Sequence, residues 1–378
     1  MYDFIVIGGG IAGAGVADAL ATRGSVVLVE AEAQAGYHTT GRSAALFAAS
    51  YGSAAFRALT RLSEPFFQAP PAGFADYPLL RERGLIYIAS SEQLGSLGRF
   101  LAEIAKSGTA LQRLSSEEIL RRVPRLRPEA VAAGAFDPGA RDIDVEGLLQ
   151  GFLRRGRARG VRQIFGARIE SAERRGGVWH LRAGSEELQA PIVVNAAGAW
   201  ADLVAQTFGA QPVGLRVLRR TVALVEPPPG DDVPDWPMIL DVEEQFYFKP
   251  DAGKFLISPA DEDEAPPGDA HPDELMLAIS ADRVQQVLDI DIRRISHSWA
   301  GLRSFAPDRS PLIGYDAVAP GVFWCAGQGG YGIQSAPAFA ALAASLVCGE
   351  GLAPAFSAEG VSLAEIDPRR FQSATAPA

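Results

Sequence analysis

The stretch "FIVIGGGIAGAG", residues 4–15, constrains most strongly what this chain can fold into. A short apolar run stops at three glycines, and the alanine-rich segment that continues to about residue 22 reads as a helix. A second apolar run, "SVVLVEA", then reaches Glu30. Gly8, Gly10 and Gly13 thus form G-x-G-x-x-G between a strand and a helix. The first glycine allows the tight turn, the second lets a pyrophosphate approach the backbone, and the third lets helix and strand pack closely. Unpaired N–H groups at the helix start favour an anion. Glu30 closes the second strand, where a carboxylate can take both ribose hydroxyls and disfavours a 2′-phosphate. The four features together predict a Rossmann-like dinucleotide-binding unit.

Composition narrows the partners. The chain has 378 residues, 48% of them hydrophobic and 21% charged, enough for a sizeable core in two connected lobes. With 35 basic and 45 acidic residues the net charge is −10, which disfavours nucleic acid and anionic membranes and points to a small-molecule partner. No run approaches the ~18 apolar residues of a membrane span. The start, "MYDFIVIGGG", has neither the basic region nor the cleavage site of a secretory leader. Cys325 and Cys348 lie in apolar contexts and read as buried free thiols, which implies a reducing, cytoplasmic setting.

Further along, "GLIYIAS" predicts a strand, and "SSEEILRRVP" a helix capped at Ser115 or Ser116 and stopped by Pro124. "DVEGLLQGFLRRGRARG" predicts an amphipathic helix from about Asp144, and "APIVVNAAGAWAD" a buried strand, a turn and a helix. Residues 215–300 read as an insertion of strands separated by proline turns, and "DEDEAPPGD", 261–269, as a solvated acidic loop. "GVFWCAGQGGYGIQSAPAFAALAASLV" reads as strand, glycine-rich loop and apolar helix, before a frayed tail, "SATAPA".

FAD and NAD are distinguished outside the first motif. In "GYHTTGRSAALFAASYG", residues 36–52, His38, Thr39, Thr40, Arg42 and Ser43 lie just beyond Glu30, where they can complete a diphosphate and ribitol site. The plainer alternative is a polar loop capping a helix from about Ser43. Gly327, Gly329, Gly330 and Gly332 precede an apolar helix whose N-terminus would stabilise the negative charge of a reduced flavin. NAD would leave that second helix end unused.

At this point "YDFIVIGGGIAGAG", "VVLVEAEAQAGYHTTGRSAA", "VVNAAGAWAD", "GLRSFAPDRSPLIG" and "GQGGYGIQSAP" together resemble the FAD-dependent D-amino-acid oxidase, glycine oxidase and sarcosine oxidase family, and within it the bacterial D-arginine dehydrogenases. The resemblance implies a glutathione-reductase-like FAD domain from residues 1–78, 145–214 and 298–378. An α+β substrate domain with a mainly antiparallel sheet would come from 79–144 and 215–297. FAD would be non-covalent, since "GLRSFAPD" has no cysteine where sarcosine oxidases tether flavin. By the same matching, Ala12, Ala31, Ala44, Ile169, Ala196 and Gly330 to Gln334, that is Tyr331, Gly332 and Ile333 between them, are expected cofactor contacts, and Ile11, Gly41, Gly198 and Gly329 beside them complete the expected set.

The implied reaction passes a hydride from Cα of a D-amino acid to flavin N5, leaving an imino acid that water hydrolyses to a 2-oxo acid and ammonia. A substrate carboxylate calls for a bidentate cation, and the likeness places Arg303 and Arg220 there. It places Tyr247 at the carboxylate, Tyr51 at the entrance, the Gly330 backbone at the substrate amine, Gln334 facing the same cavity, and Met238 and Leu240 as pocket walls. Where D-arginine dehydrogenases carry polar groups and an acid for a cationic side chain, this chain has Leu46, Ala48 and Leu85, with Glu82 the nearest acid in sequence. An unpaired guanidinium in an apolar pocket is costly, so a neutral or apolar side chain is expected. Alternatives are oxidation of glycine, sarcosine or another secondary amine, an NAD-dependent dehydrogenase, and a nucleotide-binding regulator. The electron acceptor stays open between oxygen, a quinone and a carrier.

Overall fold

The structure is a computed structural model that describes residues 1–227 and 233–372; the tail "SATAPA" lies outside the described residues. Strand β1 (Phe4–Ile7), helix α1 (Ile11–Leu20) and strand β2 (Val26–Val29) form the expected unit. β1 sits mid-sheet, parallel to both β2 and Ile192–Asn195. The six-stranded sheet is completed by Arg162–Ile164, Val322–Ala326 and Leu312–Tyr315. Only the last of these runs antiparallel to its neighbour. Its central strands are buried on both faces, as parallel sheets are. Val6 belongs to the cluster that packs α1, Val145–Ala158 and Gly332–Val347, whereas Ile5 belongs to the cluster on the opposite face. Each such aliphatic side chain contributes about 1.5–3 kcal/mol by leaving water.

A nine-stranded sheet forms the second lobe, and all its pairings except Met238–Asp241 with Leu85–Ala89 are antiparallel. Its register sorts residues by face, because alternate residues of a strand point the same way. Leu218 lies opposite Arg303, and Arg220 opposite Gly301. Leu224 lies opposite Leu256, Leu256 opposite Lys249, Tyr247 opposite Leu240, and Met238 opposite Leu85. Arg220, Arg303, Tyr247, Leu240, Met238 and Leu85 therefore share one face. The other face carries Ile86, Ile239, Phe248 and Ile257, which pack in a separate cluster with Val284 and Leu288.

Several expectations are met in detail. Ser115 caps Ser116–Arg122 in a capping box with Glu118, and Asp144 caps Val145–Ala158. Others need correction. No helix begins near Ser43; Leu46–Phe47 form a short strand and the helix starts at Ala54. The 215–300 segment contains the helix Glu274–Val287, whose start Asp273 caps. Strand Ile295–Phe305 pairs with Arg216–Val225 along its whole length and so crosses the expected boundary at 297/298. The acidic loop is not simply solvated. Asp261 is buried and accepts from the Thr221 amide and hydroxyl at 2.6 and 2.7 Å, which holds the loop against the sheet. Cys325 is buried and Cys348 half-buried, both free, and burial pushes the Cys325 thiol up. Among the described residues no helix is long and apolar enough to cross a membrane.

Candidate active site

The glycines of the first motif are there for close approach. A Cβ on Gly13 would stand 1.8 Å from the Gly8 carbonyl oxygen, and one on Gly8, at φ +106°, 2.4 Å from that of Ala196. At Gly10 it would meet only the Thr40 hydroxyl, at 3.3 Å, so this glycine opens onto the cleft. Thr40 Oγ1 accepts from the Ile11 amide at 3.0 Å and satisfies one free donor of α1. Glu30 accepts from the Gly9 and Glu32 amides at 2.5 and 2.8 Å, which fixes the carboxylate at the end of β2.

An elongated cleft of about 1550 Å³, its open mouth included, runs from this motif to the nine-stranded sheet. Of the expected cofactor contacts, Gly8, Gly10, Ile11, Ala12, Glu30, Ala31, His38, Thr39, Thr40, Arg42, Ser43 and Ala44 line it. So do Ile169, Ala196, Gly198, Gly329, Gly330, Gly332 and Ile333. Gly13, Gly41, Tyr331 and Gln334 do not. Gly13 lies within α1, pressed against the Gly8 carbonyl, Gly41 serves a turn in which its amide donates to Gly36, and buried Tyr331 packs against Tyr51 and Phe56. Arg42 donates to the Ala270 and Ala300 carbonyls and pairs with Asp269, and Thr39 donates to the Leu302 carbonyl at 2.6 Å. The segment after Glu30 thereby ties the two lobes together. His38 bonds Glu32 at 3.0 Å and lies against Trp200. Glu32, Trp200 and Val222 line the cleft although sequence reasoning passed over them. Glu32 carried a usable signal, an acid two residues past Glu30.

At the sheet end the cleft is lined by Arg220, Tyr247, Arg303 and Gly330. A Cβ on Gly330 would stand 2.8 Å from the Arg303 guanidinium, so the loop backbone lies directly on that cation. Among the described residues Arg303 pairs with no carboxylate. Burial works against its charge, but the phenols of Tyr51, Tyr247 and Tyr331 around it outweigh that and hold it above the usual arginine range. The Tyr247 hydroxyl is buried and has no partner among the described residues. Burial also raises Tyr51, whose hydroxyl donates to Glu244 at 3.2 Å. Arg220 differs from Arg303, because its Nη2 lies 3.3 Å from Glu262 Oε1.

The expected side-chain walls come together away from the cleft surface. Ala48, Leu85, Met238 and Leu240 are buried in one cluster with Tyr247, and Leu46 and Tyr51 pack against it. Gln334, expected in the cavity, instead accepts from the Ala48 amide at 3.1 Å and donates to the Tyr51 carbonyl at 3.3 Å, which fixes the turn between them. Glu82 is exposed on Leu80–Glu82 in a different, three-stranded sheet.

This site suits a flavin dinucleotide. Two glycine-rich turns face one cleft, a fixed acid stands at the end of β2, and the buried His38 Nδ1 has no partner among the described residues. The family model of FAD dependent oxidoreductases (DAO) matches residues 3–346, and the chain belongs to that family. FAD is accordingly its cofactor. Glycine oxidase of Geobacillus kaustophilus (strain HTA426) is 25% identical over 370 residues, 92% of this chain and 93% of that one. The bovine (Bos taurus) FAD-dependent oxidoreductase domain-containing protein 1 is 24% identical over 307 residues, 70% of this chain but only 62% of its own length. In fold, the crystal structure of glycine oxidase from Geobacillus kaustophilus matches with a TM-score of 0.83 at 22% identity over 98% of each chain. L-proline dehydrogenase from P. horikoshii also reaches 0.83, at 20% identity over 98% of this chain and 97% of that one. None of these relatives is a D-arginine dehydrogenase, so they support the family without the expected likeness to that member.

Proposed function

We propose that this chain oxidises neutral amino acids at Cα, foremost D-amino acids with apolar side chains. The observation that carries the reading is Arg303, cationic, free of any carboxylate among the described residues, lying against the Gly330 backbone and near Tyr247, whose buried hydroxyl has no partner among the same residues. A substrate carboxylate would take both donors, and charge-assisted contacts of this kind are the strong ones. The bound flavin supplies acceptance of the Cα hydride. The chain's residues fix the carboxylate, and with it the direction of the Cα–H bond, while the Gly330 carbonyl can receive the amine. The imine left after loss of one N–H proton adds water and gives the 2-oxo acid and ammonia. The cluster behind Tyr247 is apolar, made of Leu85, Met238, Leu240 and Ala48, and this supports a neutral side chain over a cationic one.

A second reading, oxidation of glycine, sarcosine or another secondary amine, is favoured by the close packing of those walls on one another and by the glycine oxidase relatives. An anaerobic flavin-reduction screen separates the two. Fastest reduction by D-leucine or D-phenylalanine supports the first reading, and fastest reduction by glycine, sarcosine or proline moves the assignment to the second. D-arginine in first place would sink the neutral-substrate reading altogether. Readmitting oxygen then tests it as the electron acceptor.

A further inference from the structure

Arg220 and Arg303 are close on one sheet face, yet their charges are handled differently. Glu262 reaches Arg220 from the loop that follows strand Lys254–Ser258, at 3.3 Å, and its other carboxylate oxygen pairs with Arg309. Arg309 is itself anchored. Its guanidinium lies over the Phe305 ring, 4.4 Å from the centroid, and Phe305 packs under Gly329 of the cleft-lining loop. The Arg220 side chain is only 5% exposed, whereas those of Glu262 and Arg309 are 32% and 43% exposed. The buried member of the chain is therefore the one that lines the cleft. The loop is held by Asp261, so Glu262 is presented by fixed backbone.

From this geometry we infer that Glu262 is a specificity-determining residue: it neutralises Arg220 in advance, so that of the two sheet-end arginines only Arg303 is left without a carboxylate among the described residues, and the site selects substrates with a single carboxylate over dicarboxylates. The inference rests on the carboxylate-binding role of Arg303 proposed above. A second substrate carboxylate near Arg220 would have to displace Glu262 or lie against it, and like charges in a partly desolvated site disfavour each other. Glu262 acts on substrate choice through Arg220; it is a positioning residue and touches no reacting atom.

The test uses purified FAD-loaded enzyme and two probes, acetate and malonate, each titrated while the flavin absorbance change is followed. For the unsubstituted enzyme the expected result is a response to acetate and a weaker affinity for malonate. Glu262→Gln keeps the shape and removes the charge; it should raise malonate affinity relative to acetate on the order of tenfold. Arg309→Met leaves Glu262 charged with Arg220 alone to pair, and should leave that ratio unchanged or lower it. A ratio unmoved by Glu262→Gln, or raised equally by both substitutions, overturns the inference while leaving the Arg303 clamp standing. No response to acetate in the unsubstituted enzyme overturns both.

Discussion

The two ends of the cleft are built by different means. At the nucleotide end, Gly8, Gly10, Gly13 and Glu30 lie within a single β-α-β unit, and what matters is mostly backbone, in glycines that let chain segments touch and in a helix start. At the substrate end, Arg220, Tyr247 and Arg303 come from three strands far apart in sequence, and what matters is side chains aligned by register. A backbone-built end should fail by steric exclusion, all or nothing. A side-chain-built end should fail in steps, one interaction at a time.

The largest expected effect breaks the nucleotide end. Gly13→Val puts a branched side chain where even a Cβ meets the Gly8 carbonyl at 1.8 Å, so α1 and β1 cannot keep their approach. We expect protein with little or no FAD, read as lost visible absorbance, and a fall of more than about 2 kcal/mol in stability. Full flavin content would show that the close approach is dispensable. Arg303→Ala should leave flavin content intact and raise KM with a smaller change in kcat, because the clamp acts on ground and transition states alike. Losing a buried charged partner costs about 2–5 kcal/mol, so kcat/KM should drop on the order of a hundredfold or more. An unchanged KM would remove Arg303 from the clamp. If Arg303→Ala instead stripped the flavin, the contrast between the two ends would dissolve.

The same contrast explains what could be read from sequence. The nucleotide unit was legible because its signals are short-range, as were the caps at Ser115 and Asp144. The Arg220 and Arg303 pair came only through family resemblance, since a register across eleven residues of Ile295–Phe305 is invisible to local pattern. Asp261 and Glu262 escape local pattern because an acidic run looks solvated until its partners are known, and those partners, Thr221, Arg220 and Arg309, are some forty residues away. Gln334 was expected to face the cavity; its amide goes to Ala48 and Tyr51, a pairing across the fold that no spacing rule detects. Helix Glu274–Val287 had a legible cap in Asp273 but sits in a segment whose prolines and strands set the opposite expectation.

The smallest effect concerns how the turn at 48–51 is held from the sheet side. Ser50 Oγ donates to Asp137 Oδ2 at 2.5 Å and lies 3.0 Å from the Tyr87 hydroxyl, and all three residues are buried. Burial raises the Asp137 carboxyl above its usual range, and the hydrogen bonds from Ser50 and Gly139 oppose that rise without cancelling it. Folded protein therefore binds this proton more tightly than unfolded chain does. The stability it contributes is complete below the ordinary carboxylate value and is lost as pH rises through the raised folded value. Asp137→Asn keeps an acceptor for the Gly139 amide and can donate to Ser50, but it cannot titrate. The stability of the unsubstituted protein relative to Asp137→Asn should thus be greatest at acid pH and decline toward neutrality, a difference that thermal unfolding of both from about pH 4 to about pH 8 would resolve. A difference that stays flat, or that grows with pH, would mean Asp137 is ionised at no net cost in the fold. The substrate-side turn would then be held by an ordinary charged contact, not by a proton shared among buried side chains.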